Sequence, residues 1–224
     1  MAKFNIEDWM CCYAGAVKDT FLGRIWFLGL QGSYGRGEAA AHSDIDVVLI
    51  LDTVSCQDLC TYSELLETLP HREKVCGFVS GRGELEAWEK AELFQFCCDT
   101  VPVIGSLEDL LQTIAEHDVK RAIRSGCCNL YHACVHNLVH EKNGDILKSL
   151  YKSAMFTLQA IVYLQKGSFI KKQGMLFPLL EPEERCLAET RRYLQDCKAL
   201  SDRELTVFSD QLLQWTSNWI LKMK

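Results

Sequence analysis

The fold is decided by residues 29–52, which read GLQGSYGRGEAAAHSDIDVVLILD. The end of this stretch, Asp46 to Leu51, is β-branched and almost continuously apolar, which predicts a buried central strand. A shorter apolar run, Ile25 to Leu30, ends just before Gly32 and predicts another buried strand. A glycine-rich turn therefore lies between two predicted strands.

This turn has the composition of an anion-binding loop. Glycines at 32, 35 and 37 allow backbone N–H groups to approach an anion closely. If residues 34–41 open a helix, its N-terminus would face the same anion. Ser33 adds a hydroxyl donor and Arg36 adds positive charge. We therefore expect the turn to hold phosphate groups.

Two aspartates, Asp44 and Asp46, stand at the mouth of the central strand. Because side chains alternate along a strand, both are expected on one face while Ile45 enters the core. Neighbouring carboxylates repel each other unless a cation neutralises them. Mg²⁺ prefers carboxylate oxygens together with substrate phosphates, and two such ions can bridge the attacking and leaving oxygens of an in-line displacement. The structural alternative is a glycine turn followed by a strand with a solvated acidic start.

The order of these elements is more specific than any of them alone. Gly32-Ser33, a glycine-containing loop, and Ser43-Asp44-Ile45-Asp46 leading into an apolar strand resemble the signature of the polymerase-beta-type nucleotidyltransferase superfamily. The resemblance implies that two Mg²⁺ ions are bound at the aspartates and that ATP or another NTP is the co-substrate. The residues implied for nucleotide binding are Gly32, Ser33, Arg36 and Ser43, and those implied for metal binding and catalysis are Asp44, Asp46 and Glu92.

The third carboxylate, Glu92, is the least defined member of this set. The resemblance implies an acidic residue on a neighbouring strand, acting as a metal ligand or as a general base. Glu92 precedes the apolar run Leu93 to Cys98, which we predict to be a strand. Asp99 at the other end of this run and Glu73 before the predicted strand Val75 to Ser80 are the alternatives.

The two halves of the sequence differ in periodicity. The first half mixes helical patterns, at 4–22 and 55–69, with strand-like runs, whereas almost all strand signals vanish after Leu107. Helical patterns then cover 107–116, 118–141, 144–165, 183–199 and 202–222. The sequence predicts an α+β fold, in which a nucleotidyltransferase domain with a mixed sheet and flanking helices (1–106) precedes a helical bundle (107–224). The resemblance to small antibiotic nucleotidyltransferases implies that this bundle binds the acceptor.

Composition excludes several classes of protein. Hydrophobic residues make up 48% of the 224 residues and charged residues 24%, as in globular domains with a core. The net charge of −6 and the absence of a long basic cluster argue against nucleic acid as a partner. The chain shows neither a spanning apolar segment nor a signal peptide at its start, so we expect no membrane and a cytoplasmic location. Twelve cysteines without a C-x-x-C spacing indicate free thiols in a reducing compartment.

One helical pattern carries histidines at a spacing that places them on one face. His132, His136 and His140 are each four residues apart. They could form an exposed polar face, line the acceptor site or bind a transition metal. If the base comes from this half, His136 or Glu141 is a candidate.

The functional hypothesis is transfer of a nucleoside monophosphate, AMP when ATP is the donor, to a hydroxyl of a small acceptor, with release of pyrophosphate. An aminoglycoside-like antibiotic is the acceptor that the resemblance implies. The alternatives are adenylylation of a protein, as in toxin–antitoxin modules, and a nucleotide-binding module without catalysis. Several members of the superfamily build the site across a dimer, so a homodimer is also expected.

Overall fold

The computed structural model describes residues 4–224, and these form two compact units that divide after Thr113. The first unit contains a four-stranded sheet and six helices, and the second contains four long helices. In chain order the first unit is built from α1 (Ile6–Phe21), β1 (Ile25–Leu30), α2 (Gly32–Arg36), β2 (Ile45–Leu51), α3 (Cys56–Glu67), β3 (Val75–Gly81), α4 (Arg82–Glu86), α5 (Lys90–Asp99), β4 (Val101–Ile104) and α6 (Glu108–Gln112).

The sheet has the strand order β3-β2-β1-β4, with β2 and β3 parallel and the other pairs antiparallel. The prediction of an α+β fold with a mixed sheet is therefore confirmed. The register between β1 and β2 pairs Leu30 with Val47 at one end of the two strands and Ile25 with Leu51 at the other. The C-terminal end of β1 and the N-terminal ends of the other three strands consequently lie along the same border of the sheet. We call this border, which runs across the strand ends, the sheet edge.

One face of the sheet packs against α1 and α3. Side chains at alternate positions of β2 (Ile45, Val47, Leu49 and Leu51) join this core, together with Val75 and Val79 of β3. Tyr13 of α1 and Tyr62 of α3 share a hydroxyl hydrogen bond of 2.8 Å within it. Because side chains alternate, Asp46 on β2 and Cys76 on β3 must face the opposite side of the sheet.

The predicted strand Leu93 to Cys98 is wrong, because these residues belong to the helix α5. Its buried side chains, at Ala91, Leu93, Phe94, Cys97 and Cys98, follow a spacing of three and four residues, which produces one helix face. The fourth strand is instead β4, whose apolar run is interrupted by Pro102. Proline is tolerated there because β4 is an outermost strand of the sheet.

The second unit is a bundle, as predicted. Its helices are α7 (Glu116–His136), α8 (Gly144–Lys166), α9 (Pro182–Asp196) and α10 (Asp202–Lys222), with a π-helical turn at Asn137–Glu141 and 3₁₀ turns at Gln173–Met175 and Phe177–Leu179. α7 packs against α8 and α10, and α9 packs against both α8 and α10. No helix among residues 4–224 combines the length and the apolarity that a membrane span requires.

Several polar side chains inside the bundle have partners within it. The Tyr151 hydroxyl donates to the backbone oxygen of Phe208 and to the Gln211 amide oxygen, which also accepts from Thr190. The buried carboxylate of Glu184 accepts a hydrogen bond of 3.1 Å from the Trp219 indole. These contacts link α8, α9 and α10 through side chains that have little access to water.

Candidate active site

The glycine turn and Asp46 are in direct contact. Gly32 begins α2 with a φ of 66°, in the left-handed region that favours glycine. A Cβ atom added at Gly32 would collide with the carboxylate of Asp46. The chain at Gly32 can therefore lie against this carboxylate only because it has no side chain.

The helix of the turn is earlier and shorter than predicted. It covers Gly32–Arg36, not residues 34–41, and ends at Gly37 with a φ of 70°. Gly32 and Ser33 consequently supply its first N–H groups, which have no acceptor within a helix. The sequence signal for a longer helix came from Glu38 to Ala41, which instead form part of the loop before β2.

The two aspartates occupy the positions that the motif predicts. Asp46 is the second residue of β2 and is half-buried, while Asp44 precedes the strand and is exposed. Ile45 between them is fully buried in the core. Strand alternation therefore places Asp46 on the face opposite Ile45, while the predicted placement of Asp44 on the same face as Asp46 stays a prediction because Asp44 lies outside the strand.

Gln31 connects the mouth of β2 to α5 and β4. Its backbone N–H donates to the Asp46 carbonyl oxygen over 2.7 Å. Its side-chain amide donates to the Thr100 hydroxyl over 2.6 Å and to the Phe96 carbonyl oxygen over 3.2 Å. Gln31 could not be predicted from the sequence, because a single glutamine beside a glycine has no local signature.

Arg36 lies in the protein interior, where it forms an ion pair. Its side chain is 7% exposed and its guanidinium donates to both Asp99 oxygens, at 2.9 and 3.2 Å. Its Nε lies 3.4 Å from Glu38. Arg36 therefore joins the end of α2 to the end of α5, and its predicted contact with the nucleotide stays a prediction.

Ser43 also has a structural contact. Its hydroxyl accepts from the Ala40 N–H over 2.9 Å, and its own N–H donates to the Ala40 carbonyl over 3.0 Å. These bonds close the loop that leads to Asp44. The predicted role of Ser43 in nucleotide binding is not tested by this arrangement.

Two of the three candidates for the third carboxylate, Glu92 and Asp99, lie in the helix α5 and not on a strand. Glu92 is an exposed residue in the first turn of α5, so its placement at the start of a strand is wrong. Asp99 is engaged with Arg36. Glu73 is exposed in the 3₁₀ turn Arg72–Lys74, 3.7 Å from His71. Their catalytic roles stay predictions.

The residue that the sheet places beside Asp46 is a cysteine. In the parallel register of β2 and β3, Asp46 pairs with Cys76, which is exposed. Cys76 therefore lies on the neighbouring strand, on the face that carries Asp46. Alternation along Val75 to Val79 could have assigned this face, but pairing with Asp46 is a long-range property that the local pattern does not contain.

Metal-binding clusters of the usual kind are not found in the described part of the chain. Among residues 4–224, no group of three or more His, Cys, Asp and Glu side chains is arranged to hold an ion. The predicted histidine stripe is exposed at His132, His136 and His140, and the His136 and His140 rings lie 4.8 Å apart. His136 lies 3.6 Å from Glu141, so this face of α7 shows the features of a solvated polar surface.

Comparison with known proteins agrees with this geometry. Residues 15–123 match the family model described as a nucleotidyltransferase domain. This segment of the chain is similar to a nucleotidyltransferase domain. The match covers the glycine turn, both aspartates and the whole sheet, and it supports transfer of a nucleoside monophosphate in general terms.

One solved structure resembles this chain beyond the segment that the family model matches. The spectinomycin adenyltransferase AAD(9) from Enterococcus faecialis, crystallised with ATP and spectinomycin, is similar with a TM-score of 0.61 and 13% identity, over 95% of this chain and 100% of that chain. A nucleotidyltransferase-like protein from Exiguobacterium sibiricum 255-15 gives a TM-score of 0.36 and 10% identity, over 98% of this chain and 78% of that one. No curated protein sequence matches the chain. At this identity, the AAD(9) likeness concerns the fold, which includes the helical bundle.

Proposed function

We propose that this protein transfers the nucleoside monophosphate of ATP, or of another NTP, to a hydroxyl group of a small acceptor molecule. The acceptor oxygen forms a bond to the α-phosphorus while the bond from that phosphorus to the bridging oxygen breaks. Pyrophosphate leaves and the hydroxyl proton passes to water. The observation that carries the proposal is the contact of Asp46 with Gly32, which brings a carboxylate and a glycine-lined turn together at one sheet edge.

The residues at this edge fit a divalent cation together with a triphosphate. Asp44 and Asp46 supply oxygen donors, and Mg²⁺ completes its shell with waters and substrate phosphates, so it does not need three protein ligands. When bound, the cation supplies neutralisation of the phosphate charge. In this proposal, Gly32 and Ser33 at the start of α2 donate N–H groups to the leaving pyrophosphate, and the buried Ile45 anchors the start of β2 between the two carboxylates.

A small acceptor is favoured over a protein because the likeness to AAD(9) extends through the helical bundle, over 95% of this chain. That neighbour was crystallised with an antibiotic and ATP. We propose the same general class, a hydroxyl-bearing antibiotic-like compound, for this chain. Use of ATP, dependence on Mg²⁺, acceptor binding by the bundle and assembly as a homodimer belong to the proposal.

The test compares two aspartates at opposite ends of β2. Calorimetry with ATP and Mg²⁺, together with pyrophosphate release in the presence of a panel of acceptors, is measured for the wild type, Asp46→Asn and Asp52→Asn. Asp52 is exposed and pairs with Arg24 at 3.0 Å, away from the glycine turn. We expect Asp46→Asn to lose magnesium-dependent binding and about a thousandfold of turnover, in the range seen when a charge-stabilising group is removed. Equal behaviour of the two variants would refute the proposal.

A further inference from the structure

The face of the sheet that carries Asp46 continues into a group of aromatic rings. Phe78 on β3, Trp88 before α5 and Phe96 in α5 contact one another edge to face, with ring centroids 4.9 to 5.8 Å apart. All three residues are partly exposed. We call Cys76 and these three rings the aromatic wall.

The aromatic wall begins directly beside the candidate active site. Cys76 is the register partner of Asp46, and Phe78 is the partner of Val48, two residues further along β2. At a rise of about 3.3 Å per residue, Phe78 lies roughly 7 Å along the strand from Cys76. The Phe96 backbone is tied to the same edge, because its carbonyl accepts from Gln31. A ligand of ordinary size at Asp46 can therefore reach the rings.

The two members of the wall that belong to β3, Cys76 and Phe78, lie on the opposite side of Asp46 from the glycine turn. The turn follows β1, and a Cβ at Gly35 would meet Leu30 and Val101, which belong to β1 and β4. The wall begins on β3, on the other side of β2. In an in-line displacement the attacking and leaving oxygens lie on opposite sides of the phosphorus. With pyrophosphate at the glycine turn, we expect the attacking hydroxyl on the side of Asp46 where β3 lies.

We infer that the aromatic wall receives the acceptor, and that the acceptor carries an apolar or aromatic ring next to the hydroxyl that is modified. This inference rests on the proposed function and narrows its acceptor class. A thiol and three rings offer dispersion and edge-to-face contacts to a flat apolar group. The thiol and the rings are themselves uncharged, so the contacts they offer are apolar.

A pair of thiol reagents tests the wall without knowledge of the natural acceptor. Benzyl methanethiosulfonate and 2-(trimethylammonium)ethyl methanethiosulfonate react alike: a thiolate attacks the sulfenyl sulfur, a disulfide forms and methanesulfinate leaves. The labelling rate of Cys76 is followed by peptide mass spectrometry and divided by that of Cys12, an exposed cysteine of α1. Cys97 and Cys127 serve as unreactive references, because burial raises the pKa of each thiol to about 12.

We expect the benzyl reagent to be favoured about tenfold at Cys76 relative to Cys12, which corresponds to one good aromatic contact. Trp88→Ala should abolish this preference. Trp26→Ala is the control, since Trp26 lies at the opposite end of the sheet beside Arg82. Saturating ATP with Mg²⁺ should change the benzyl labelling less than about twofold, because the acceptor side stays open when the nucleotide is bound.

The outcomes separate this inference from the proposed function. An equal reagent ratio at Cys76 and Cys12, or a ratio unchanged by Trp88→Ala, overturns the aromatic wall as an acceptor surface while ATP binding persists. Protection of Cys76 by ATP with Mg²⁺ would assign the rings to the nucleotide and overturn the inference as well. Absence of ATP binding in calorimetry refutes the proposed function, and the inference falls with it.

Discussion

Two regions of this protein, the sheet edge at Asp46 and the interior of the helical bundle, use their polar side chains in different ways. At the sheet edge of the first unit, Asp44 and Asp46 are partly or fully accessible and carry like charges. In the helical bundle, Tyr151 and Glu184 are buried and hydrogen-bonded to neighbouring helices. Polar groups that only stabilise a fold are expected to find partners inside it. The contrast teaches that accessible carboxylates at the sheet edge are available to a ligand, as proposed, whereas Tyr151 and Glu184 contact neighbouring helices.

The first prediction tests whether the Arg36 side chain stabilises the fold or binds the nucleotide. Arg36→Met should lower the free energy of unfolding of the first unit by about 3–5 kcal/mol, because the buried Asp99 loses its ion-pair partner. Chemical denaturation measures this loss. The double variant Arg36→Met/Asp99→Leu should recover most of it. If stability is unchanged and only ATP binding weakens, Arg36 acts on the nucleotide as the sequence predicted.

The second prediction concerns the contact between Gly32 and Asp46. Gly32→Ala places a methyl group against the carboxylate at a positive φ, so pyrophosphate release should fall by about a hundredfold. Gly83→Ala is the matched control, because an added Cβ there meets open space. Comparable activity in the two alanine variants would show that the close approach at Gly32 has no functional role.

A smaller effect is expected in the bundle, from two adjacent glutamates. Glu184→Ala leaves the buried Trp219 indole N–H without its acceptor and should cost about 1–3 kcal/mol of stability. Glu183 accepts from Asn218 at the exposed surface, so Glu183→Ala should cost less than about 0.5 kcal/mol. Thermal unfolding of both variants measures the difference, which would vanish if burial were unimportant.

The smallest effect is expected at the histidine stripe. Because His136 is exposed, His136→Ala should change the unfolding free energy by less than about 0.5 kcal/mol and leave pyrophosphate release unchanged. A loss of turnover in this variant, with its stability retained, would restore the hypothesis that this face of α7 takes part in the reaction.

Features that are encoded by neighbouring residues could be predicted from the sequence, and features that depend on distant residues could not. The glycine turn, both aspartates and the central strand are encoded within 24 consecutive residues, so their arrangement could be predicted. The aromatic residues in the run Leu93 to Cys98 favour a strand, whereas the spacing of its buried side chains is that of a helix. The fourth strand, β4, was not predicted because it contains Pro102, and a proline within an apolar run usually argues against a strand.

The neighbourhood of Asp46 could not be predicted, since it depends on contacts between distant segments. Cys76 is 30 positions away in the chain and reaches Asp46 only through the register of β2 and β3. Arg36 has the sequence context of a phosphate ligand, but its partner Asp99 lies 63 residues further on. The local sequence shows which residue types are present. The long-range pairing of strands and helices determines which residues each side chain contacts.

The position of Pro102 also bears on how copies of this protein could associate. Proline has no N–H with which to continue a hydrogen-bond ladder, and β4 forms one border of the sheet. A strand from another molecule would find an incomplete template there, which is a common protection against edge-to-edge aggregation. If the expected homodimer forms, its two sheets should not join into a continuous one through β4.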